Sequence, residues 1–205
     1  MKRMRLAVQL LFTVLTNGYA YGFINGKIYR GGLKYVCVPG LNCYSCPGAL
    51  ASCPIGALQA LLNQKGFSVP FGMIGFFFVV GSLLGRFVCG WLCPFGLVQD
   101  LLHKIPLLKK RKRLPFHNIL KCGKYLVLVF LVGVGSLLLF GGYAKVPAFC
   151  KYLCPSGTLF GALPLLGAND SLRGQAGGLF FWKLGILLLI VFLSVKVYRP
   201  FCQYL

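Results

Sequence analysis

Four long apolar stretches alternate with short, basic, glycine-rich connections along the chain. Leu6 to Ile24 is mostly apolar, and the second stretch runs from about Val69 to Val88 around Phe76-Phe77-Phe78-Val79-Val80. The third covers Tyr125 to Tyr143 and the fourth Leu179 to Val197. Each approaches the roughly 20 residues that a helix needs to cross about 30 Å of hydrocarbon. The pattern predicts an all-α integral membrane protein, a single membrane domain over residues 1–205, with about four transmembrane helices at 6–24, 69–88, 125–143 and 179–197. Two shorter segments, 54–64 and 97–108, are patterned as amphipathic helices. Pro54 falls in the first turn of its helix, where a missing N–H costs nothing. Leu6–Ile24 could also be a cleaved signal peptide. Tyr19-Ala20-Tyr21 offers only one small residue for the cleavage site, so a retained helix is expected.

Charge adds an orientation. Only Asp100 and Asp170 are acidic, against 22 Lys and Arg, and 58% of the chain is hydrophobic. That mix does not suit a soluble globular domain, and two carboxylates nearly exclude paired-carboxylate catalysis. A net charge of +20 raises nucleic acid as a partner, but several long apolar runs argue against it. The basic residues read instead as loop charges that orient a chain among membrane lipids. With the N-terminus inside, the inner segments hold Lys2, Arg3, Arg5, the 104–113 cluster, Lys121, Lys124, Lys196 and Arg199. The outer segments hold Lys27, Arg30, Lys34, Lys65, Lys145, Lys151 and Arg173. The bias, chiefly from the run 109–113, predicts a multi-pass protein of the cell (inner/cytoplasmic) membrane with both termini inside.

The chemistry lies in ten cysteines. Their main setting is a repeated cysteine–proline elbow: Gly85-Arg86-Phe87-Val88-Cys89-Gly90-Trp91-Leu92-Cys93-Pro94-Phe95-Gly96-Leu97, then Pro147-Ala148-Phe149-Cys150-Lys151-Tyr152-Leu153-Cys154-Pro155-Ser156-Gly157. A half-copy stands at Cys53-Pro54-Ile55-Gly56. The chain stops within another, Arg199-Pro200-Phe201-Cys202-Gln203-Tyr204-Leu205. The repeat predicts a further Cys and Pro after Leu205, so the sequence reads as truncated there. The cysteine motifs thus occupy 37–56, 89–96, 150–157 and 202–205.

Iron–sulfur clusters are held by thiolates, usually four, often at short spacing with Pro after one ligand. A Cys-Pro step can also open a helix, whose free N–H groups favour thiolate over thiol. Glycine two residues on permits close backbone approach. One such pair would pass for interfacial cysteines, but the repeats point to metal or redox chemistry. Cys43, Cys46, Cys53, Cys89, Cys93, Cys150, Cys154 and Cys202 are the candidate ligands. In the four-span topology Cys89, Cys93 and Cys202 fall on the inner side. Cys37, Cys43, Cys46, Cys53, Cys150 and Cys154 fall on the outer side, giving one group per face. Cys37 stays open as a fourth outer ligand, and Cys122 reads as a passive thiol. Arg86 and Lys151 are the cations expected beside an anionic cluster. His103 and His117 read as loop histidines rather than haem or metal ligands, and Asp100 as a structural charge rather than a proton relay. Gly72, Gly75, Gly81 and Gly85 permit close helix approach, and Trp91 suits an interfacial aromatic belt.

Phe87-Val88-Cys89-Gly90-Trp91-Leu92-Cys93-Pro94-Phe95-Gly96 resembles the signature of the membrane 4Fe-4S binding protein family, which includes NapH-type quinol dehydrogenase subunits and the membrane parts of NosR- and CcoG-type proteins. Asn42-Cys43-Tyr44-Ser45-Cys46-Pro47, Cys53-Pro54-Ile55-Gly56 and Cys150-Lys151-Tyr152-Leu153-Cys154-Pro155 resemble its other motifs, and the match spans residues 37 to 205. The resemblance implies one or two 4Fe-4S clusters, four or more spans, and electron transfer from quinol to a partner reductase. Many members also carry a ferredoxin domain with two CxxCxxCxxxCP runs, which these 205 residues do not contain. A fragment, or a partner chain supplying the rest, accounts for that.

Three functions are compatible with this pattern. The first is an iron–sulfur protein of the quinol-dehydrogenase-subunit type, passing electrons between quinol and a partner. The second is a quinone-linked thiol–disulfide oxidoreductase using Cys43 and Cys46. The third is metal reduction or delivery during oxidase assembly, since thiolates suit soft ions such as Cu(I). No polar constellation within a span marks a quinone site.

Overall fold

The computed structural model describes residues 2–62, 71–106, 110, 117–132, 147–174 and 177–204. It is mainly helical. The α-helices are α1 (Lys2–Asn17), α2 (Ala20–Asn25), α3 (Pro54–Leu62), α4 (Phe71–Leu83), α5 (Gly85–Phe87), α6 (Pro94–Lys104), α7 (His117–Leu126), α8 (Leu163–Ala168), α9 (Asp170–Arg173), α10 (Gly178–Lys196) and α11 (Pro200–Tyr204). Wide π-helical turns at Val88–Leu92, Phe149–Leu153 and Gly157–Ala162 join several of them.

The expected four spans are not what the chain forms. Among the described residues, one helix, α10, is long and apolar enough to cross a membrane. Residues 6–24 do not make one helix, because the backbone groups at the break bond to the cysteine loop instead. Leu50 N–H donates to the Thr16 carbonyl at 2.9 Å, and Tyr19 N–H to the Gly48 carbonyl at 3.2 Å. α4 has 13 residues, about 20 Å of helix against the roughly 30 Å required. Two residues beyond its end Gly85 takes a φ of +33°, a left-handed geometry that breaks a regular helix. Of the expected span 125–143, residues 133–143 lie outside the described residues, as does the basic run 109–113 apart from Lys110. Counting apolar residues misses these breaks, because the breaks arise from where the backbone hydrogen bonds go.

The two full elbows share one backbone form. In each, the amide of the second cysteine closes the π-turn, Cys93 N–H to the Val88 carbonyl at 3.0 Å and Cys154 N–H to the Phe149 carbonyl at 2.9 Å. Both cysteines then turn extended, with ψ of 119° and 109°, as a residue before proline is obliged to do. The proline opens the next helical segment. Single π-turns of this sort are frequent at functional sites.

One apolar cluster sits between the elbows. It contains Cys93, Phe95, Val132, Phe149, Cys154, Ile190 and Phe201, with Phe95 and Phe201 meeting edge to face at 5.2 Å between ring centroids. α10 packs along α6, and α1 packs against the first elbow and α6. α1 buries its polar side, Gln9 and Thr16, and exposes Leu10, Leu11, Val14 and Leu15. α10 is likewise turned outward. Only 22% of its apolar window is buried, and Phe181, Trp182, Leu188, Leu189 and Phe192 are exposed.

Candidate functional site

The loop 37–53 is fixed before its thiols are placed. Val38 N–H donates to the Ser52 carbonyl at 3.1 Å and Ser52 N–H to the Val36 carbonyl at 3.0 Å, closing the loop on itself. Asn42, buried, donates from its amide to the carbonyls of Ala51 (3.1 Å) and Thr16 (3.4 Å). The Ser156 hydroxyl of the second elbow donates to the Leu41 carbonyl at 3.1 Å. Loop and elbow are thereby locked together.

That lock brings Cys43, Cys53, Cys150 and Cys154 into one group. A methyl placed on Gly157 would stand 3.7 Å from Cys43 Sγ and 3.8 Å from Cys154 Sγ, and one on Gly56 would stand 3.8 Å from Cys150 Sγ. Glycine leaves this space to the sulfurs. Gly157 N–H reaches Cys154 Sγ at 3.4 Å, and the amides of Gly56 and Ile55 point at the Cys53 sulfur. Burial lifts the Cys53 thiol to about 11, against those amides, with Cys43 and Cys93 pushing the same way. Burial, then Cys53 and Cys43, lifts Cys150 to about 12, while Lys183 opposes the rise. Cys154 is raised well above its ordinary value by burial and by Cys150 and Cys43. Metal-free thiols in this group are therefore protonated at neutral pH, and a cationic group binding there releases their protons.

A second group forms at the first elbow. Cys202 donates a hydrogen bond to the Cys89 sulfur, which lowers the Cys89 thiol to about 7. The same bond, with burial, raises Cys202. Cys93 is fully buried and raised by burial, against amides of Leu41, Gly96 and Phe95 directed at its sulfur. The two groups adjoin rather than standing one per face: Cys93 of the second helps to raise Cys53 of the first, and Cys93 and Cys154 share the apolar cluster.

The other cysteines stand apart. Cys46 is buried beside Lys34, and its neighbouring thiol is Cys43. Cys37 is raised by burial alone, and Cys122 is exposed. His103 Nδ1 lies 3.3 Å from the Ser194 carbonyl, with its ring edge-on to Tyr198. The side chains of Arg86 and His117 lie outside the described residues. Lys151 sits over the Tyr152 ring, and Trp91 stacks on Phe87 at 5.3 Å.

The cations that act on the thiols are ones the sequence pattern does not mark. Lys183 Nζ donates to the Cys150 carbonyl at 3.2 Å and favours the charged forms of Cys43 and Cys150. A lysine within a long apolar helix is a signal that was available. Lys34, buried, donates to the Ala49 carbonyl at 2.8 Å and favours the charged forms of Cys43 and Cys46. At the second group Arg199 binds Asp100, the Cys89 carbonyl (2.6 Å) and the Gly90 carbonyl (3.2 Å). Arg5 Nη2 also donates to Asp100, at 2.8 Å to the same Oδ2 that Arg199 binds.

Among the described residues, no three His, Cys, Asp or Glu side chains converge on a single-ion site. A cubane spreads four thiolates farther apart than one ion does. Thiols gathered from separate segments, with backbone amides on their sulfurs, fit that larger group.

Comparison with known proteins agrees. The 4Fe-4S binding domain model matches residues 52–66, 65–115 and 125–168. An uncharacterized protein of Methanocaldococcus jannaschii is 33% identical over 129 residues, 62% of this chain and 46% of that protein. A second from that organism is 35% identical over 40% of this chain and 42% of its own length. The regulatory protein NosR of Pseudomonas aeruginosa is 42% identical over 81 residues, 35% of this chain and 11% of NosR. The chain thus spans less than half the length of these relatives. No solved structure matches. The family model covers more than half of the chain and both elbows, and the protein belongs to the 4Fe-4S binding domain family.

Proposed function

We propose that the protein is a membrane-associated iron–sulfur electron-transfer protein. Cys43, Cys53, Cys150 and Cys154 hold one 4Fe-4S cluster, and Cys89, Cys93 and Cys202 contribute to a second site. The meeting of four thiols from the 37–53 loop and the second elbow, with amides of Gly56, Ile55 and Gly157 on their sulfurs, carries this reading. When bound, the cluster supplies the one-electron chemistry. The chain's own residues position it, shield it from water and place Lys34 and Lys183 beside it.

Electrons pass between quinol and a partner reductase in this proposal. A cavity of about 290 Å³ supports the quinol end. Leu41, Ile55, Tyr125, Phe149 and Phe201 line it, with Lys124 as its basic residue. Phe149 and Phe201 adjoin Cys150 and Cys202 in sequence, and Ile55 lies two residues from Cys53, so the cavity borders both thiol groups. An apolar slot with aromatic walls and one polar anchor suits a planar ring. The outward apolar faces of α10 and α1 support lipid as their surroundings, since contiguous exposed apolar surface marks an interaction site. Asp100 holds Arg5 and Arg199 together, which supports placing both ends of the chain on one face, the cytoplasmic one.

The Cys89–Cys202 hydrogen bond favours one other reading, a quinone-linked dithiol relay. One experiment separates the two. Protein purified anaerobically in detergent is analysed for iron and sulfide and by EPR. About four of each per chain means one cubane, and about eight means two. Absence of iron with intact thiols, together with a thiol count that changes between oxidised and reduced samples, overturns the iron–sulfur reading in favour of the relay.

A further inference from the structure

Arg199 is buried and takes a φ of +49°. A left-handed backbone in a non-glycine residue is strained, and it persists only where the surroundings hold it. Here the side chain holds it. Nε donates to Asp100 Oδ1 at 2.7 Å and Nη2 to Oδ2, a two-point fork that lysine cannot reproduce. Nη1 donates to the Cys89 carbonyl at 2.6 Å and Nη2 to the Gly90 carbonyl at 3.2 Å. One guanidinium thus joins the segment carrying Cys202 to the elbow carrying Cys89. Its positive charge is held within that junction, against the Cys89 carbonyl. Asp100 offsets part of that charge and is itself shared with Arg5.

From this geometry we infer that Arg199 is a positioning residue that also sets the reduction potential of the second thiol site, with Asp100 as its counterweight. The inference rests on the iron–sulfur reading. An electron added at that site brings negative charge beside a buried guanidinium, so Arg199 favours the reduced form. Asp100 opposes it. The two residues therefore have opposite effects on the potential, although both brace the same elbow.

The test is a redox titration followed by EPR on anaerobically purified full-length protein, with iron content measured for each variant. Arg199→Gln lowers the midpoint of the second site by about a tenfold change in the reduction equilibrium, ~59 mV for one electron. Asp100→Asn raises it. Arg199→Lys, which keeps the charge but loses the fork, stays nearer the wild type than Arg199→Gln. The first site keeps its potential in all three and serves as the internal reference. A purely structural role would move Arg199→Gln and Asp100→Asn in the same direction. That result overturns the inference, as do unchanged midpoints in variants that load iron fully. If Arg199→Gln does not load, the sign of the Asp100→Asn shift decides. Wild-type protein without iron overturns the iron–sulfur reading itself, and wild-type protein that loads only the first site overturns this inference alone; both differ from iron-loaded variants with unmoved potentials.

Discussion

Lys183 and Cys150 are bound across the protein: the ammonium, five residues into the apolar helix α10, donates to the Cys150 carbonyl at 3.2 Å. Its charge favours thiolate at Cys43 and Cys150. Replacing it with glutamine raises both thiols further, so proton release on cluster loading becomes less favourable. Lys183→Gln is expected to load iron at the first site only at higher pH than wild type, with Lys183→Arg close to wild type. Reconstitution followed by absorbance across a pH series checks this.

The first site has a direct pH dependence. Its thiols are raised by burial, to about 11 at Cys53 and about 12 at Cys150, and metal binding must displace their protons. Cluster occupancy therefore falls as pH is lowered and protons compete for the sulfurs. Bleaching of the cluster absorbance on acidification, with iron release measured in parallel, tests the sign.

Cys43 and Cys46 stand three residues apart, yet only Cys43 lies among the four gathered thiols. Cys43→Ser is expected to lose most of the iron of the first site. Cys46→Ser is expected to retain more than half of it, and Cys122→Ser all of it. Iron and sulfide per chain in the three variants provide the measurement. Equal loss in Cys43→Ser and Cys46→Ser would move the ligand set to the spacing motif alone.

In the metal-free protein Cys89 is the thiol poised to react, because Cys202 lowers it to about 7. The thiolate is the nucleophile, so alkylation of Cys89 should rise about tenfold between pH 6 and pH 8. Cys53, at about 11, should stay unlabelled over that range. Mass spectrometry of iodoacetamide-treated apoprotein reads both. Cys202→Ala removes the donor and should move the Cys89 profile to higher pH.

Asn42 braces the loop through two carbonyls. Asn42→Ala leaves both without that donor in a buried position, at a cost of about 1–3 kcal/mol. A lower thermal midpoint and faster proteolysis within residues 37–53 are expected, read by calorimetry and limited digestion.

The elbows were legible in the sequence because their chemistry is local. Cys-Pro at fixed spacing obliges an extended cysteine and a helix start, and Cys93 and Cys154 comply. The division of thiols into a set around Cys150 and a set around Cys89 was read from the four-span topology, one set per face, and that topology is not what the chain forms. The helical spans were not legible in that way. Leu6–Ile24 is apolar enough for one helix, but the Thr16 carbonyl bonds to the Leu50 amide thirty-four residues on, and no window of composition contains that bond. Lys34 and Arg199 escaped for a related reason. Each was counted as a loop charge, and its burial depends on carbonyls supplied by distant segments. Lys183 was missed as well, although a lone cation within a long apolar stretch is a signal that inspection can find.

Asp100 joins residues far apart in the sequence, Arg5 and Arg199, and that sets an order of assembly. Every thiol of the first group has been synthesised once Cys154 is made, whereas Cys202 and its bracing guanidinium follow only after α10. Chains fold from the N-terminus as they are synthesised. Until residue 199 arrives, Asp100 has Arg5 as its arginine partner and the Cys89 elbow lacks its clamp. The first site can thus be filled on a growing chain before the segment that braces the second has been made.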